Sequence, residues 1–168
     1  SSRSFGLESV ILLKFLLVGV SFGVLYYVAN RLGGLFWSTF LAFPFLYVLS
    51  YRFDTRPEVF SFLCLSLFVL FIYLFSQTKR WWYLWVLLIV QVLWVNSHIY
   101  FFVGPLVYGA FVLSEFLQNR RDVRLVGFGA MLVLVLFLTP LGSSGATAPL
   151  TIFSNYGYEI VENKSIVF

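Results

Sequence analysis

Charged side chains are rare in this chain, and the richest group of them lies in residues 51–58. There Arg52 and Arg56 alternate with Asp54 and Glu58. A guanidinium group suits bidentate recognition of phosphate, and either carboxylate could act as a base or bind a divalent cation. The pattern therefore indicates a site for a phosphorylated ligand. It is also typical of a self-neutralising loop before a helix, because proline fits the first helical turn and a carboxylate favours the helix N-terminus.

A second polar group follows the apolar run that ends near residue 95. It contains Asn96, Ser97 and His98, the single histidine of the chain. One histidine cannot form a metal site without ligands from elsewhere. Asn96 and His98 could together hydrogen-bond a hydroxylated ligand. The alternative is a polar turn that joins two helices, and these residues alone do not define a Ser-His-acid triad.

The third group lies in the C-terminal segment, residues 140–168. Tyr156 and Tyr158 suit a membrane interface or a platform for a sugar ring. Glu159 and Glu162 are three residues apart, so they would share a face if this part were helical. The alternative is an extracellular loop that lies on the lipid headgroups.

The composition excludes a soluble domain. Of 168 residues, 61% are hydrophobic, 21% aromatic and only 11% charged, and the mean hydropathy is +0.93. Soluble domains have about 45–50% apolar and about 25% charged residues. The net charge of +4 is spread between apolar runs and forms no patch, which also excludes a nucleic-acid-binding domain. No phosphate-binding loop, dinucleotide fingerprint or zinc-protease motif is present.

The elements that must position the three polar groups are apolar helices. Runs of about 17–25 apolar residues cross a bilayer as helices, and a β-barrel would need alternation that is absent here. We therefore expect an all-α fold: one polytopic transmembrane helical bundle over residues 1–168, with about six spans. The predicted spans are 7–29, 34–51, 57–76, 81–95, 99–117 and 123–139.

The sparse basic residues predict an orientation, because cytoplasmic loops of membrane proteins are enriched in lysine and arginine. One set of connections has six basic residues against two acidic ones: Arg31, Lys79, Arg80, Arg120, Arg121 and Arg124 against Glu115 and Asp122. The other set has four against five: Arg3, Arg52, Arg56 and Lys164 against Glu8, Asp54, Glu58, Glu159 and Glu162. The first set is expected in the cytoplasm. Both chain ends and all three polar groups then lie on the outer face.

The two ends of the sequence predict a piece of a larger protein. The chain begins with Ser1, and apolar character resumes at Ser165–Phe168. We therefore expect an internal piece in which residues 140–168 form an outer-face loop that leads to a further helix.

The order of the motifs resembles the GT-C superfamily of membrane glycosyltransferases, and more narrowly the bacterial enzymes related to the dolichyl-phosphate-mannose mannosyltransferases. The resemblance covers about residues 20–165. It rests on Arg56-Pro57-Glu58 at a helix start, Leu93-Trp94-Val95-Asn96-Ser97-His98 followed by Gly104, Thr139-Pro140-Leu141-Gly142, Tyr156-Gly157-Tyr158, and Glu162-Asn163. The chain departs from the family pattern at Thr139, where asparagine is usual, and at Asn163, where tryptophan is common.

The resemblance implies an integral enzyme of a bacterial plasma membrane. Such enzymes move a sugar from a polyprenyl-phosphate carrier to an acceptor glycan, lipid or protein on the outer face. It also implies a catalytic aspartate in an outer loop upstream of this chain, so the chain alone is expected to be inactive. Within the chain Asp54 is the one candidate base, and no cofactor is implied beyond the divalent cation that a carboxylate could bind.

The resemblance also implies roles for the binding residues. Arg52 and Arg56 would hold the carrier phosphate, while Asn96 and His98 would line the cavity. The remaining candidates for substrate binding are Glu58, Tyr156, Glu159 and Glu162, of which the last two would contact the acceptor or order the loop. Two other functions compete with this one: a transporter or flippase of lipid-linked sugars, and a non-catalytic membrane scaffold.

Overall fold

A computed structural model of the chain describes residues 2–51 and 58–152, with side chains described for residues 8–47 and 58–150. Within these ranges the chain is all-helical and contains no strand. The six α-helices and one short 3₁₀ helix are α1 (Ser2–Tyr51), α2 (Glu58–Thr78), α3 (Trp82–Val95), the 3₁₀ helix (Ile99–Phe102), α4 (Val103–Leu117), α5 (Val123–Val135) and α6 (Gly142–Ile152).

Helix α1 is a hairpin of two helical segments joined at Gly34. The backbone of Gly34 is not helical, with φ 77° and ψ 171°, a conformation that glycine adopts without a steric penalty. Beyond it the chain folds back, so that the Tyr26 hydroxyl lies 2.9 Å from Thr39 Oγ1. The rings of Phe22 and Phe45 stack with centroids 6.1 Å apart, although 23 residues separate them in the sequence. The break lies at the start of the second predicted span.

Three helices are long and apolar enough to cross a membrane. They are Glu8–Tyr47, Glu58–Thr78 and Ile99–Leu117, and the first of them contains the bend at Gly34. The shorter apolar helices are Trp82–Val95 and Val123–Val135. The helix Glu8–Tyr47 covers the two predicted segments 7–29 and 34–51, whereas the other four begin and end close to the predicted segments 57–76, 81–95, 99–117 and 123–139. Their apolar length indicates association with a membrane.

The core lies among α2, α3, α4 and α5. Its fully buried side chains include Phe68, Leu84, Trp94 and Tyr108. The Tyr108 hydroxyl donates a hydrogen bond to the backbone carbonyl of Leu125 at 3.0 Å, which ties α4 to α5. Most apolar side chains of α1, in contrast, are exposed on the surface of the bundle. In a bilayer such side chains face lipid, where their exposure costs nothing.

The segment after α5 differs from the loop expected from residue 140. Residues 142–152 form helix α6, which packs against the 3₁₀ helix. Thr139 marks its start, because the hydroxyl of Thr139 donates to the Gly142 carbonyl at 3.2 Å and Gly145 lies against the same side chain. The glycine and serine residues at the start of this segment therefore lie in a helix.

Candidate functional site

The polar group around His98 is built on a hydroxyl from another helix. Ser61 Oγ on α2 lies 2.8 Å from His98 Nδ1, and Trp94 Nε1 on α3 donates to the same Ser61 Oγ at 3.0 Å. An indole N–H can only donate, so Ser61 Oγ accepts from Trp94, and the same oxygen makes its second contact with His98 Nδ1. When the Ser61 hydroxyl donates to Nδ1, the neutral imidazole carries its proton on Nε2. The contact fixes the orientation of the His98 ring.

Among the described residues, Glu58 is the charged group whose field acts on this imidazole. It lies one helical turn before Ser61 on α2, so the two side chains share a face of the helix. Burial lowers the pKa of His98 below its ordinary value, and the Glu58 carboxylate opposes this shift. The lowered pKa of His98 therefore favours the neutral imidazole.

Asn96 joins the turn to the segment before α6. Its amide Nδ2 donates to the Val92 carbonyl at 2.8 Å and to the Leu138 carbonyl at 3.3 Å. Asn96 thus holds residues 138–142 next to the turn that contains His98. The three segments that carry Glu58, Asn96-Ser97-His98 and Thr139–Gly142 consequently meet at one end of the bundle.

Gln91 and Gly104 lie deeper in the bundle and support the end that carries His98. Gln91 is fully buried, and its Nε2 donates to the Phe101 carbonyl of the 3₁₀ helix at 2.9 Å. Gly104 leaves room for this amide and for Phe68, because a Cβ at Gly104 would collide with Gln91 Oε1 and lie 2.9 Å from Phe68 Cζ. Gly104 of α4 thus lies close to the side chains of Gln91 on α3 and Phe68 on α2, and Gln91 in turn holds the 3₁₀ helix that follows His98.

The structure describes three of the predicted site residues, Glu58, Asn96 and His98. Glu58 lies near enough for its charge to act on His98, and Asn96 uses its amide nitrogen to join two backbone segments. Other predicted residues lie outside the described residues: Arg52, Asp54, Arg56, Tyr156, Glu159 and Glu162. Sequence reasoning missed Ser61 and Gln91 as supports of the site, and it included Trp94 only as part of the motif that contains His98. The available signal was the spacing of Ser61 from Glu58, which places both on one face of α2.

The described residues offer no ligand set for a metal. Nowhere in residues 8–47 and 58–150 do three or more histidine, cysteine, aspartate or glutamate side chains gather closely enough to hold an ion. Glu58 and His98 alone would supply two ligands. A divalent cation at this end would need further ligands from outside the described ranges.

Comparison of the chain with protein-family models, with curated proteins and with solved structures found no match. The resemblance to the GT-C superfamily therefore rests on the sequence motifs alone.

Proposed function

We propose that this chain is part of an integral-membrane glycosyltransferase that moves a sugar from a polyprenyl-phosphate carrier to an acceptor outside the cytoplasm. The observation that carries the proposal is the convergence of Glu58, His98 and the Thr139–Gly142 segment at one end of the helices. These belong to three motifs that are far apart in the sequence. A scaffold would not require these three segments to converge.

The chemistry assigned to this end is in-line displacement at the anomeric carbon. The acceptor hydroxyl oxygen forms the new bond to that carbon while the bond to the carrier phosphate breaks, and a carboxylate base takes the hydroxyl proton. Within this chain Asp54 is the candidate base, and the main base is assigned to a loop upstream. The carrier phosphate leaves with the electron pair.

His98 is assigned to the departing phosphate. A neutral imidazole whose Nδ1 is held by Ser61 presents its Nε2–H as a fixed donor, which stabilises negative charge that develops in the transition state. Arg52 and Arg56, which precede Glu58 in the sequence, supply the positive charge that a phosphate requires. Tyr156, Glu159 and Glu162 are assigned to the sugar and the acceptor.

The test uses the full-length protein in membrane vesicles and a panel of radiolabelled polyprenyl-phosphate hexoses as donors. We expect His98→Ala and Arg56→Ala to abolish sugar transfer while the protein remains inserted in the membrane. Ser97→Ala is the matched control, because within the described part of the chain the Ser97 hydroxyl bonds to the Leu93 carbonyl of the preceding helix, at 2.6 Å.

Each alternative function gives a different result in this assay. A scaffold predicts that the two variants transfer sugar as well as wild type. A transporter or flippase predicts that labelled carrier crosses the bilayer with its sugar still attached. Either result would refute the enzyme proposal.

A further inference from the structure

A pocket lined by basic side chains lies at the end of the bundle opposite His98. It is a cavity of about 410 Å³ between the C-termini of α2 and α4 and the N-terminus of α5. We refer to it as the basic pocket, and its lining consists of Phe75, Lys79, Glu115, Arg120, Arg121, Asp122 and Leu125.

The two carboxylates of the basic pocket are already neutralised. Glu115 is the more buried, with 9% of its side chain exposed, and it accepts from Lys79 Nζ at 2.9 Å. Arg120 approaches its other oxygen at 3.7 Å. Asp122 receives a bidentate contact from Arg124, with both nitrogen–oxygen distances at 3.0 Å. Neither carboxylate therefore leaves uncompensated negative charge to repel an anion.

The basic pocket retains positive charge after these pairs are counted. Arg121 lines the cavity, and no carboxylate of the described residues pairs with it. Arg120 is at the limit of ion-pair distance from Glu115 and 61% exposed, so its guanidinium also has free donors. Lys79 gives one of its three protons to Glu115. These groups together can surround a phosphate.

The floor of the basic pocket is apolar. Phe75 and Leu125 are both buried beneath the charged rim, and Lys79 Nζ lies 5.6 Å from the Phe75 ring centroid. Trp81 stands beside this rim, with the Arg124 guanidinium 5.0 Å from its ring centroid. Tryptophan concentrates at the level of lipid headgroups. An apolar floor under a basic rim at that level fits a lipid better than a free anion.

We propose that the basic pocket binds the phosphate of an anionic phospholipid headgroup. Arg121 and Arg120 hold the phosphate oxygens, and Phe75 and Leu125 contact the glycerol and upper acyl carbons. This proposal does not depend on the glycosyltransferase assignment, because it concerns the opposite end of the helices and a different ligand.

The experiment is native mass spectrometry of the full-length protein in detergent, incubated with phosphatidylglycerol or with phosphatidylcholine. Wild type should retain phosphatidylglycerol in preference to phosphatidylcholine. Arg121→Gln should weaken phosphatidylglycerol retention about fivefold, since one basic side chain near a lipid surface contributes on that scale. Arg121 is exposed, so the substitution leaves the core intact.

Arg31→Gln is the matched control. It removes one positive charge from an exposed residue that lies outside the basic pocket and contacts the Tyr27 ring at 5.4 Å. Retention unchanged in Arg31→Gln supports the proposal, whereas an equal loss in both variants would show diffuse attraction and overturn it. Equal binding of the two lipids, or complete displacement of phosphatidylglycerol by excess inorganic phosphate, would also overturn it.

Discussion

Ser61 Oγ lies 2.8 Å from His98 Nδ1, which joins the first turns of α2 to the turn after α3. The same oxygen accepts from the buried Trp94 indole at 3.0 Å. One hydroxyl thus positions the histidine and satisfies an indole that has no access to water. Sites that hold a ligand commonly depend on such supporting contacts.

Removing this hydroxyl should destabilise the helix bundle. Ser61→Ala leaves the Trp94 N–H without its acceptor, and we expect the free energy of unfolding to fall by about 1–2 kcal/mol. Unfolding in detergent followed by tryptophan fluorescence measures this change. Ser66→Ala is the control, because its buried hydroxyl bonds, among the described residues, to the Leu63 carbonyl of the same helix, at 2.7 Å. An equal loss in both variants would contradict a role for the interhelical contact.

The pKa of His98 should lie below its ordinary value of about 6.5. Burial lowers it and Glu58 partly opposes the shift, so Glu58→Gln should lower it further. The chain has one histidine, so a single imidazole resonance in an NMR titration reports this group. Asp122→Asn, at the other end of the bundle, should leave the resonance unchanged. A pKa above 6.5, or one that Glu58→Gln does not move, would contradict the geometry.

The lowered pKa of His98 makes the free energy of unfolding depend on pH. Because the folded state holds the His98 proton more weakly than the unfolded state does, the unfolded state binds more protons below about pH 6.5. The contribution of His98 is complete above that pH and is lost as the pH falls through 6.5 towards the pKa of the folded state. Thermal unfolding of wild type and His98→Asn across this range should show the difference. If the thermal midpoints of wild type and His98→Asn change with pH in the same way, the prediction is wrong.

A methyl group at Gly104 should disrupt the packing of α4 against Gln91 on α3 and Phe68 on α2. Gly104→Ala would force its Cβ against Gln91 Oε1 and Phe68, at an expected cost of about 1–3 kcal/mol in the free energy of unfolding. Gly109→Ala lies on the same helix with no atom within 4 Å of the added Cβ. That control should be neutral or stabilising by as much as about 1 kcal/mol, since alanine is the better helix former. Similar thermal midpoints for both variants would refute the close contact of Gly104 with Gln91 and Phe68.

Because the carboxylate of Glu115 is buried, removing the charge of Lys79 should lower the free energy of unfolding more than removing the charge of Arg80. Lys79→Met removes a 2.9 Å partner of this carboxylate, and we expect a loss of about 1 kcal/mol, because Lys79 is itself 49% exposed. Arg80→Met removes an adjacent exposed charge that pairs with no carboxylate of the described residues. Thermal unfolding should therefore separate the two variants. Equal effects would show that the ion pair is not stabilising.

The predicted orientation can be tested by cysteine labelling. The one native cysteine, Cys64, is buried, and Cys64→Ala gives a background without thiols. Ser97→Cys should then react with an impermeant maleimide added outside intact cells, whereas Gln118→Cys should react only after the cells are opened. Both positions are exposed and lie at opposite ends of the segment 99–117. The reverse labelling pattern would show that the topology is opposite to the predicted one.

The sequence by itself determined where the long apolar helices lie. A continuous apolar run satisfies its backbone hydrogen bonds within one helix, so the length of the run defines the element. The predicted segments 81–95 and 99–117 agree closely with Trp82–Val95 and with the combined 3₁₀ helix and α4. Apolar content also excluded a soluble domain, because small domains cannot bury so much surface.

Only the tertiary structure decided which polar residues meet. His98 and Glu58 were recognised as polar breaks, but their proximity depends on how α2 packs against α3, which involves contacts between residues far apart in the sequence. Ser61 and Gln91 lie within apolar runs and carry no local signal of their interhelical partners. Helix α6 was likewise missed, because Thr139 and the packing against the 3₁₀ helix offset the weak helix propensity of its glycine and serine residues.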